Sequence, residues 1–360
     1  MRFKLRFLRQ GLLVAAATLA MGFVPGFLGS AFAQYAATTL VSNQSGAAPT
    51  TDANLVNAWG IISGPTSPFW VSDNVTGKST LYLGSGAIVP LVVTIPTASG
   101  TGTGTPTGVV FNFDPSATDF LLTDPNTSKT KKPIFLFATV DGTISGWNPG
   151  LNAGNVAVIG FTATNGASYT GLTMAENGGA FFLYAADNSA NREVDVFNSS
   201  FTRVNTISDP AIPRDFAPYN VRAIDGQLWV TYTALDKAQG GFVDVFALDG
   251  TLVHHDFLLG PLHSPWGLAL APSNFGEFSN DILVGNNVRD GRINAFDPST
   301  GQFQGTLTES NGQPIVIDQL WGLEFGKGAG ANGKTFQLFF TAGTNFYGDG
   351  AFGVVEPVQP

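Results

Sequence analysis

Carboxylate and amide side chains recur wherever a short apolar run ends. The members of this set are Asp73, Asn74, Asp187, Asn188, Asn286, Asn287 and Asn345. Their oxygens are the ligands that hard cations such as Ca²⁺ prefer, and they also hydrogen-bond polar ligands. Asx residues equally favour short β-turns, because their side chains bind backbone N–H groups two residues on. The pattern predicts either a ring of oxygen ligands or a set of structural turns.

A second set of candidates lies just before or inside other apolar runs: Asn57, Tyr219, Arg222, His263 and Asp318. His263 could act at a site or be a solvated loop histidine. Arg222 could bind a carboxylate or pair with a neighbouring acid. The other two histidines are adjacent in a different predicted strand, so a three-histidine zinc site is not expected.

The apolar runs repeat through the chain at intervals of about 45 to 63 residues. The second residues of the six runs are Gly60, Gly108, Gly171, Arg222, Gly267 and Gly322. Three runs begin Trp-Gly, at Trp59, Trp266 and Trp321, which indicates either core packing or an aromatic platform. A glycine at the start of a strand permits close approach of neighbouring strands.

Each repeat contains about four short runs rich in β-branched and aromatic residues, separated by Gly, Asn, Asp and Pro. The sixth repeat lacks its fourth run, whereas residues 35–43 form an unassigned β-like stretch. Pairing the two would close a ring and remove exposed sheet edges. The sequence thus predicts an all-β, six-bladed β-propeller with four-stranded blades, one domain over residues 34–360. The second repeat offers one strand too many, so its internal assignment stays open.

Two segments resemble the strand-turn-strand core of NHL-type propellers: "LYAADNSANREVDVF" (183–197) and "ILVGNNVRDGRINAF" (282–296). With its recurrent Trp-Gly repeats, the chain also resembles an exported bacterial propeller family of uncharacterised function. The resemblance implies the fold but not the activity, because related superfamilies include lactonases, lyases and binding modules.

The first 33 residues have the features of a secretory signal peptide. Arg2, Lys4, Arg6 and Arg9 precede an apolar stretch, and Ala31-Phe32-Ala33 forms a small-x-small cleavage site. We therefore expect export to the periplasm or the extracellular space, with no membrane insertion after cleavage. Cleavage would change the net charge from −9 to −13, which disfavours nucleic acid as a partner. The chain has no cysteine, and we expect a monomer.

Three function classes remain open. The first is a binding or scaffolding module that takes a small molecule, glycan or protein on the channel-mouth face, where loops to the innermost strands emerge. On that face we place Asn57, Asp73, Asp187, Tyr219, Arg222, His263 and Asp318. The alternative is a metal-dependent hydrolase or lyase of the lactonase kind, and the third is a structural envelope protein. No cofactor is required by the first class, and Ca²⁺ or a similar cation is the candidate for the second, if Asp73, Asp187, Asp318 and Glu324 converge.

Overall fold

The computed structural model describes residues 34–236, 240–258 and 260–358, so the predicted signal peptide lies outside the described residues. Nearly all regular structure in this part is β, apart from two 3₁₀ turns at Asn152–Gly154 and Gly276–Phe278. In the described ranges, no helix has the length and apolarity needed to cross a membrane.

Six antiparallel sheets form blades, and their innermost strands contact one another in a closed ring around a channel. From the axis outwards, blade 1 comprises Ala58–Ser63, Phe69–Asp73, Lys78–Tyr82 and Ile88–Thr94. Blade 2 comprises Pro106–Phe111, Phe135–Thr139, Thr143–Trp147 and Val158–Thr162. Blade 3 comprises Tyr169–Asn177, Ala180–Asp187, Glu193–Phe197 and Arg203–Ile207. The predicted six-bladed propeller is confirmed.

The remaining blades follow the same order. Blade 4 comprises Phe216–Ile224, Gln227–Ala234, Phe242–Ala247 and Leu252–His254. Blade 5 comprises Pro265–Leu270, Ile282–Asn286, Ile293–Phe296 and Phe303–Thr306. Blade 6 comprises Leu320–Phe325, Leu338–Ala342, Ala351–Pro357 and Tyr35–Ser42.

Blade 6 closes the ring with a strand from the beginning of the propeller. Tyr35–Ser42 pairs antiparallel with Ala351–Pro357, and Thr50–Thr51 adds a short parallel strand outside it. Tyr35 is 1% exposed, and its ring packs on Phe275 of blade 5. The predicted closure is therefore confirmed, and it also links blade 6 to blade 5.

The surplus strand in the second repeat is part of an excursion between the first two strands of blade 2. Leu122–Thr123 pairs with Thr130–Lys131 as a two-stranded hairpin of its own. Without this hairpin, the second repeat has four strands, which form blade 2.

Glycine at the start of the innermost strand has the expected role. A Cβ on Gly60 would lie 2.4 Å from the Thr107 carbonyl oxygen, and a Cβ on Gly108 would lie 2.4 Å from the Leu172 nitrogen. Such contacts are too short for any side chain, so glycine lets neighbouring blades meet at the axis.

The prediction that Arg222 takes this position in blade 4 is wrong by two residues. In blades 3 to 5 the innermost strand bulges immediately before the equivalent residue, which is Gly171, Asn220 or Gly267. Asn220 thus replaces the glycine, and its Nδ2 donates to the Trp266 carbonyl oxygen at 2.8 Å. Arg222 lies further along the strand, towards the opposite end of the channel.

Candidate functional site

Five aromatic side chains meet at the end of the channel where the innermost strands begin. Trp59 stacks on Trp321 with ring centroids 3.6 Å apart. The Trp266 ring is nearly perpendicular to both, at 6.2 and 5.7 Å, and Tyr219 and Tyr347 pack around them. We call this cluster the aromatic plug. Its rings come from blades 1, 4, 5 and 6, so the plug links four blades at this end of the channel.

Hydrogen bonds fix the orientation of the plug. The Trp266 Nε1–H donates to the Thr170 carbonyl oxygen at 3.0 Å, and the Trp321 Nε1–H donates to Asn57 Oδ1 at 2.9 Å. Asn57 adopts a left-handed backbone with φ of 50° and is 5% exposed. Asparagine tolerates this conformation better than most residues. Asn57 therefore positions a tryptophan and does not present its side chain to solvent.

A pocket of about 250 Å³, the upper pocket, lies at the predicted channel mouth. Tyr219 and Tyr347 both line it, and their hydroxyls donate to Asn287 Oδ1 at 3.2 and 3.0 Å. The Asn287 Nδ2 in turn donates to the Leu320 carbonyl oxygen at 3.1 Å. Blades 4, 5 and 6 thus supply one connected set of polar groups to the pocket.

The two tyrosines are neutral at physiological pH. Burial raises the pKa of Tyr219 well above its ordinary value of 10, and the nearby Tyr347 adds to the effect. Burial also raises the pKa of Tyr347 to about 12, with a contribution from the negative charge of Asp318. Each phenol therefore keeps its proton and can both donate and accept hydrogen bonds.

Tyr347 reaches the pocket from a backbone turn of unusual conformation. Asn345, Phe346 and Tyr347 have φ of 54°, 53° and 67°, three consecutive left-handed residues without a glycine. This conformation costs roughly 1–2 kcal/mol per residue relative to right-handed backbone. Asp318 supports the turn, since its Oδ2 accepts the Asn345 backbone N–H at 2.9 Å. Strained backbone of this kind concentrates at functional sites.

Three asparagines that follow a blade's second strand connect that blade to the next. The Nδ2 groups of Asn74, Asn188 and Asn287 donate to the carbonyl oxygens of Pro106, Pro218 and Leu320, at 3.2, 2.9 and 3.1 Å. Each acceptor lies two residues before the glycine position of its blade. These amides therefore hold adjacent blades together. This role differs from both sequence interpretations, a ring of oxygen ligands and a set of structural turns.

Asp187 is a turn-forming residue. It is fully buried, and its carboxylate accepts the backbone N–H groups of Ser168 and Ser189 at 2.8 and 3.0 Å. The Asn191 Nδ2 donates to it as well, at 2.8 Å. Its oxygens are thus occupied within the turn.

Asp73 is also fully buried. Burial raises its pKa well above the ordinary value, the Asp52 carboxylate raises it further, and the Thr80 hydroxyl opposes the shift. A carboxyl with a raised pKa is a poorer cation ligand at a given pH, because a proton competes for it.

The four carboxylates required for the metalloenzyme alternative do not form one cluster. Within the ranges that the structure describes, two groups have metal-ligand spacing: Asp209, Asp244 and His255, and separately Asp187, Glu193 and Asp195. Neither contains more than one of the four predicted carboxylates. Asp73, Asp318 and Glu324 belong to neither group.

In both groups a carboxylate already contacts a nitrogen of the protein. Arg203 NH1 lies 3.1 Å from Asp195 Oδ1, and His255 Nδ1 lies 2.6 Å from Asp209 Oδ2. Burial raises the pKa of Asp244 to about 6, and the charge of Asp209 adds to this shift. Sequence reasoning did not group these residues, because each group depends on pairing between separate strands or segments: Asp187 pairs with Glu193 across two strands of blade 3, and Asp209 precedes blade 4, which supplies Asp244 and His255.

His263 lies apart from the upper pocket. It is exposed and borders a separate groove of about 160 Å³ together with Asp290 and Arg292. Its backbone N–H donates to Asn286 Oδ1 at 3.2 Å. The structure thus places His263 on the expected side of the propeller but beside a different depression.

Arg222 and Glu324 lie at the other end of the channel. Each is two residues beyond the glycine position of its strand, and the Arg222 guanidinium donates to Glu324 Oε2. Both line a cavity of about 450 Å³, the lower cavity, together with Asp225 and Gly226 at the turn that ends the innermost strand of blade 4. The expectation that Arg222 shares one face with Tyr219 and Asp318 is therefore wrong, because the alignment of blade 4 was displaced by two residues.

The fold defines the class of this protein as a six-bladed β-propeller with a closing strand taken from the start of the domain. No family model matches the chain. It is 32% identical over 302 residues to uncharacterized protein L690 of Acanthamoeba polyphaga mimivirus, covering 79% of this chain and 77% of L690. It is 30% identical over 339 residues to uncharacterized protein R648 of the same virus, covering 88% and 78%. The chain therefore belongs to the same protein family as L690 and R648.

These relatives are viral, so they do not support the expected bacterial family. Among solved structures, virginiamycin B lyase from Staphylococcus aureus is similar with a TM-score of 0.53 and 11% identity, covering 90% of this chain and all of the lyase. A streptogramin B lyase is similar with a TM-score of 0.51 and 12% identity, covering 90% and 97%. At such low identity these similarities show the fold alone.

Proposed function

We propose that the protein is an exported binding module whose upper pocket takes a neutral, polyhydroxylated ligand about the size of a monosaccharide. The observation that carries this proposal is the convergence of the Tyr219 and Tyr347 hydroxyls on Asn287 Oδ1. The strained turn that delivers Tyr347 supports a role beyond packing, because a structural aromatic could be supplied by relaxed backbone.

The chemistry of the pocket supports a neutral ligand. Its polar lining consists of hydroxyls and amides, with Arg289 as its one charged lining residue in the described part of the chain. Arg289 is exposed, and its guanidinium lies 4.9 Å from the centre of the Phe346 ring. Hydroxyls and amides can exchange donor and acceptor roles, which suits ligand hydroxyls better than a fixed charge.

Gln319 adds an acceptor that needs a donor. Its side chain lines the pocket at 6% exposure, and Oε1 has no hydrogen-bond partner among residues 34–236, 240–258 and 260–358. A buried acceptor without a partner costs about 1–3 kcal/mol, and a small rearrangement towards a ligand hydroxyl would recover that free energy. The volume of about 250 Å³ lies just below the usual range for drug-sized ligands, which favours a ligand as small as a single sugar ring.

The metal-dependent hydrolase or lyase is the weaker proposal. The carboxylates that it requires are distributed over two ends of the channel and several blades, and two of them are enclosed in the blades. Export to the periplasm or extracellular space is supported by the basic residues and the Ala31-Phe32-Ala33 pattern. The acidic net charge supports the proposal that nucleic acid is not a partner, and we propose a monomer.

A saccharide screen tests the proposal. A panel of monosaccharides and glycans is titrated against the protein, with tryptophan fluorescence as the readout because the plug lies next to the pocket. For a saccharide that binds, Tyr219→Phe and Tyr347→Phe should each weaken binding by about 3- to 10-fold, the effect of one lost hydrogen bond. Tyr184→Phe is the matched control, since it removes a hydroxyl that donates to the Leu248 carbonyl, away from the pocket.

Two results would overturn the proposal. One is that no member of the panel binds at millimolar concentration. The other is binding that both tyrosine variants leave unchanged, which would place the ligand elsewhere.

A further inference from the structure

The lower cavity has a larger volume than the upper pocket and than the groove beside His263. Its volume of about 450 Å³ falls within the range of sites for small organic ligands. Blades 1, 2, 3, 4 and 6 contribute to its wall, so it exists only because the ring is closed. It lies at the opposite end of the channel from the upper pocket and is independent of the proposed function.

One side of the lower cavity is apolar. Val110 and Phe111 of blade 2 line it with Leu172 and Met174 of blade 3. Phe113 borders the same side at 49% exposure, with its ring in edge contact with Phe181. An apolar wall of this composition stabilises a hydrocarbon or aromatic group by removing it from water.

The other side carries two cations and one buried anion. Glu324 is 4% exposed, and its carboxylate accepts from Arg222 and lies 3.1 Å from Lys327 Nζ. Lys327 also donates to the Ser63 carbonyl oxygen, so its ammonium group is well supplied with acceptors. The three side chains together carry one surplus positive charge.

Arg222 has unused hydrogen-bonding capacity at this wall. A guanidinium has five N–H donors. Within the described ranges, the side-chain hydrogen bonds of Arg222 involve one nitrogen and one partner, Glu324. Its side chain is 27% exposed and lines the cavity, so the remaining donors can be reached by a ligand. A planar fork of donors matches the two oxygens of a carboxylate.

From these features we infer that the lower cavity binds a small amphipathic monocarboxylate. The carboxylate would pair with Arg222, which brings the charges of Arg222, Lys327, Glu324 and the ligand to zero. The hydrocarbon part would lie against the apolar wall of blades 2 and 3. Two exposed carboxylates at the rim, Glu176 and Asp225, repel any anion, and they disfavour a dianion such as a phosphate monoester more than a monocarboxylate.

Isothermal titration of the full chain with octanoate tests the inference. Octanamide, octylammonium and octyl phosphate are the comparison probes, because they keep the chain and change the head group. We expect octanoate to bind at least tenfold more tightly than each of the three. Arg222→Gln should weaken octanoate binding at least tenfold and leave octanamide binding unchanged.

Control variants distinguish the site from general effects. Arg292→Gln removes an exposed arginine near the other mouth and should leave octanoate binding intact. Ala223→Trp places a large ring in the cavity from a half-buried lining position and should abolish binding of both octanoate and octanamide, which keeps the inference testable should Arg222→Gln fail to fold. Tyr347→Phe should not change octanoate binding, so the two sites can fail separately.

Absence of octanoate binding at millimolar concentration would overturn the inference. So would octanoate binding that withstands Ala223→Trp, or equal affinity for octanoate and octylammonium.

Discussion

Replacing Tyr35 with alanine should reveal how much of the ring's stability depends on its closing strand. Tyr35 is the first residue of that strand and is 1% exposed. Its ring packs on Phe275 at 4.9 Å and stacks on Phe278 at 6.0 Å, both in blade 5. The closing strand therefore depends on this side chain for contact with a neighbouring blade as well as with blade 6.

The magnitude can be worked from these contacts. Truncating a fully buried large aromatic side chain to alanine costs about 3–5 kcal/mol, since transfer free energy and packing are both lost. The hydroxyl contributes part of this through its bond to the Phe275 carbonyl oxygen at 2.9 Å and the bond it accepts from the Phe278 N–H at 3.3 Å. Tyr35→Phe leaves those two groups without their partner and should cost about 1–3 kcal/mol.

Equilibrium urea unfolding of the full chain measures both effects. Val204→Ala is the control, because Val204 is 50% exposed on the outer strand of blade 3 and should change the free energy of unfolding by less than about 0.5 kcal/mol. If Tyr35→Ala unfolds within about 0.5 kcal/mol of the unmodified chain, the closing strand does not contribute as described.

Three further predictions concern processing, metal and pH. The exported form should begin at Gln34, and an intact Met1 terminus in the mass spectrum of exported protein would contradict this. Chelators should leave the melting temperature unchanged, because the predicted carboxylates do not converge; a reversible drop that Asp318→Asn abolishes would restore the metalloenzyme alternative. The folded-state pKa of Asp244, about 6, exceeds its ordinary value of 3.8, so its stabilising contribution should be present below pH 4 and lost as pH rises through about 6. In Asp244→Asn, the free energy of unfolding should lack this decrease between about pH 4 and pH 6. An identical pH dependence in the variant and the unmodified chain would contradict the assignment to Asp244.

The architecture could be predicted because it depends on features that are local in sequence. Six apolar runs at a regular interval and the missing fourth run of the last repeat fixed the blade number and the closure. The one register error came from blade 4, where Asn220 replaces the glycine that marks every other blade. Without a glycine to align, Arg222 was placed two residues too early and hence at the wrong end of the channel.

The site was only partly predictable, because it depends on contacts between blades. Tyr219, Asn287 and Asp318 were expected at the channel mouth, and the structure places them there or beside it. Tyr347 was missed, since three consecutive left-handed residues without glycine are too rare to predict from residue type. The lower cavity was missed because five blades supply its wall, and no single segment of the sequence contains both its apolar and its charged residues.

A crystal structure of the protein with a saccharide from the screen tests the central claim most directly. The proposal predicts electron density for the sugar in the upper pocket, with ligand hydroxyls within hydrogen-bond distance of the Tyr219 and Tyr347 hydroxyls. Density for the sugar at any other place, with the upper pocket unchanged, would contradict it.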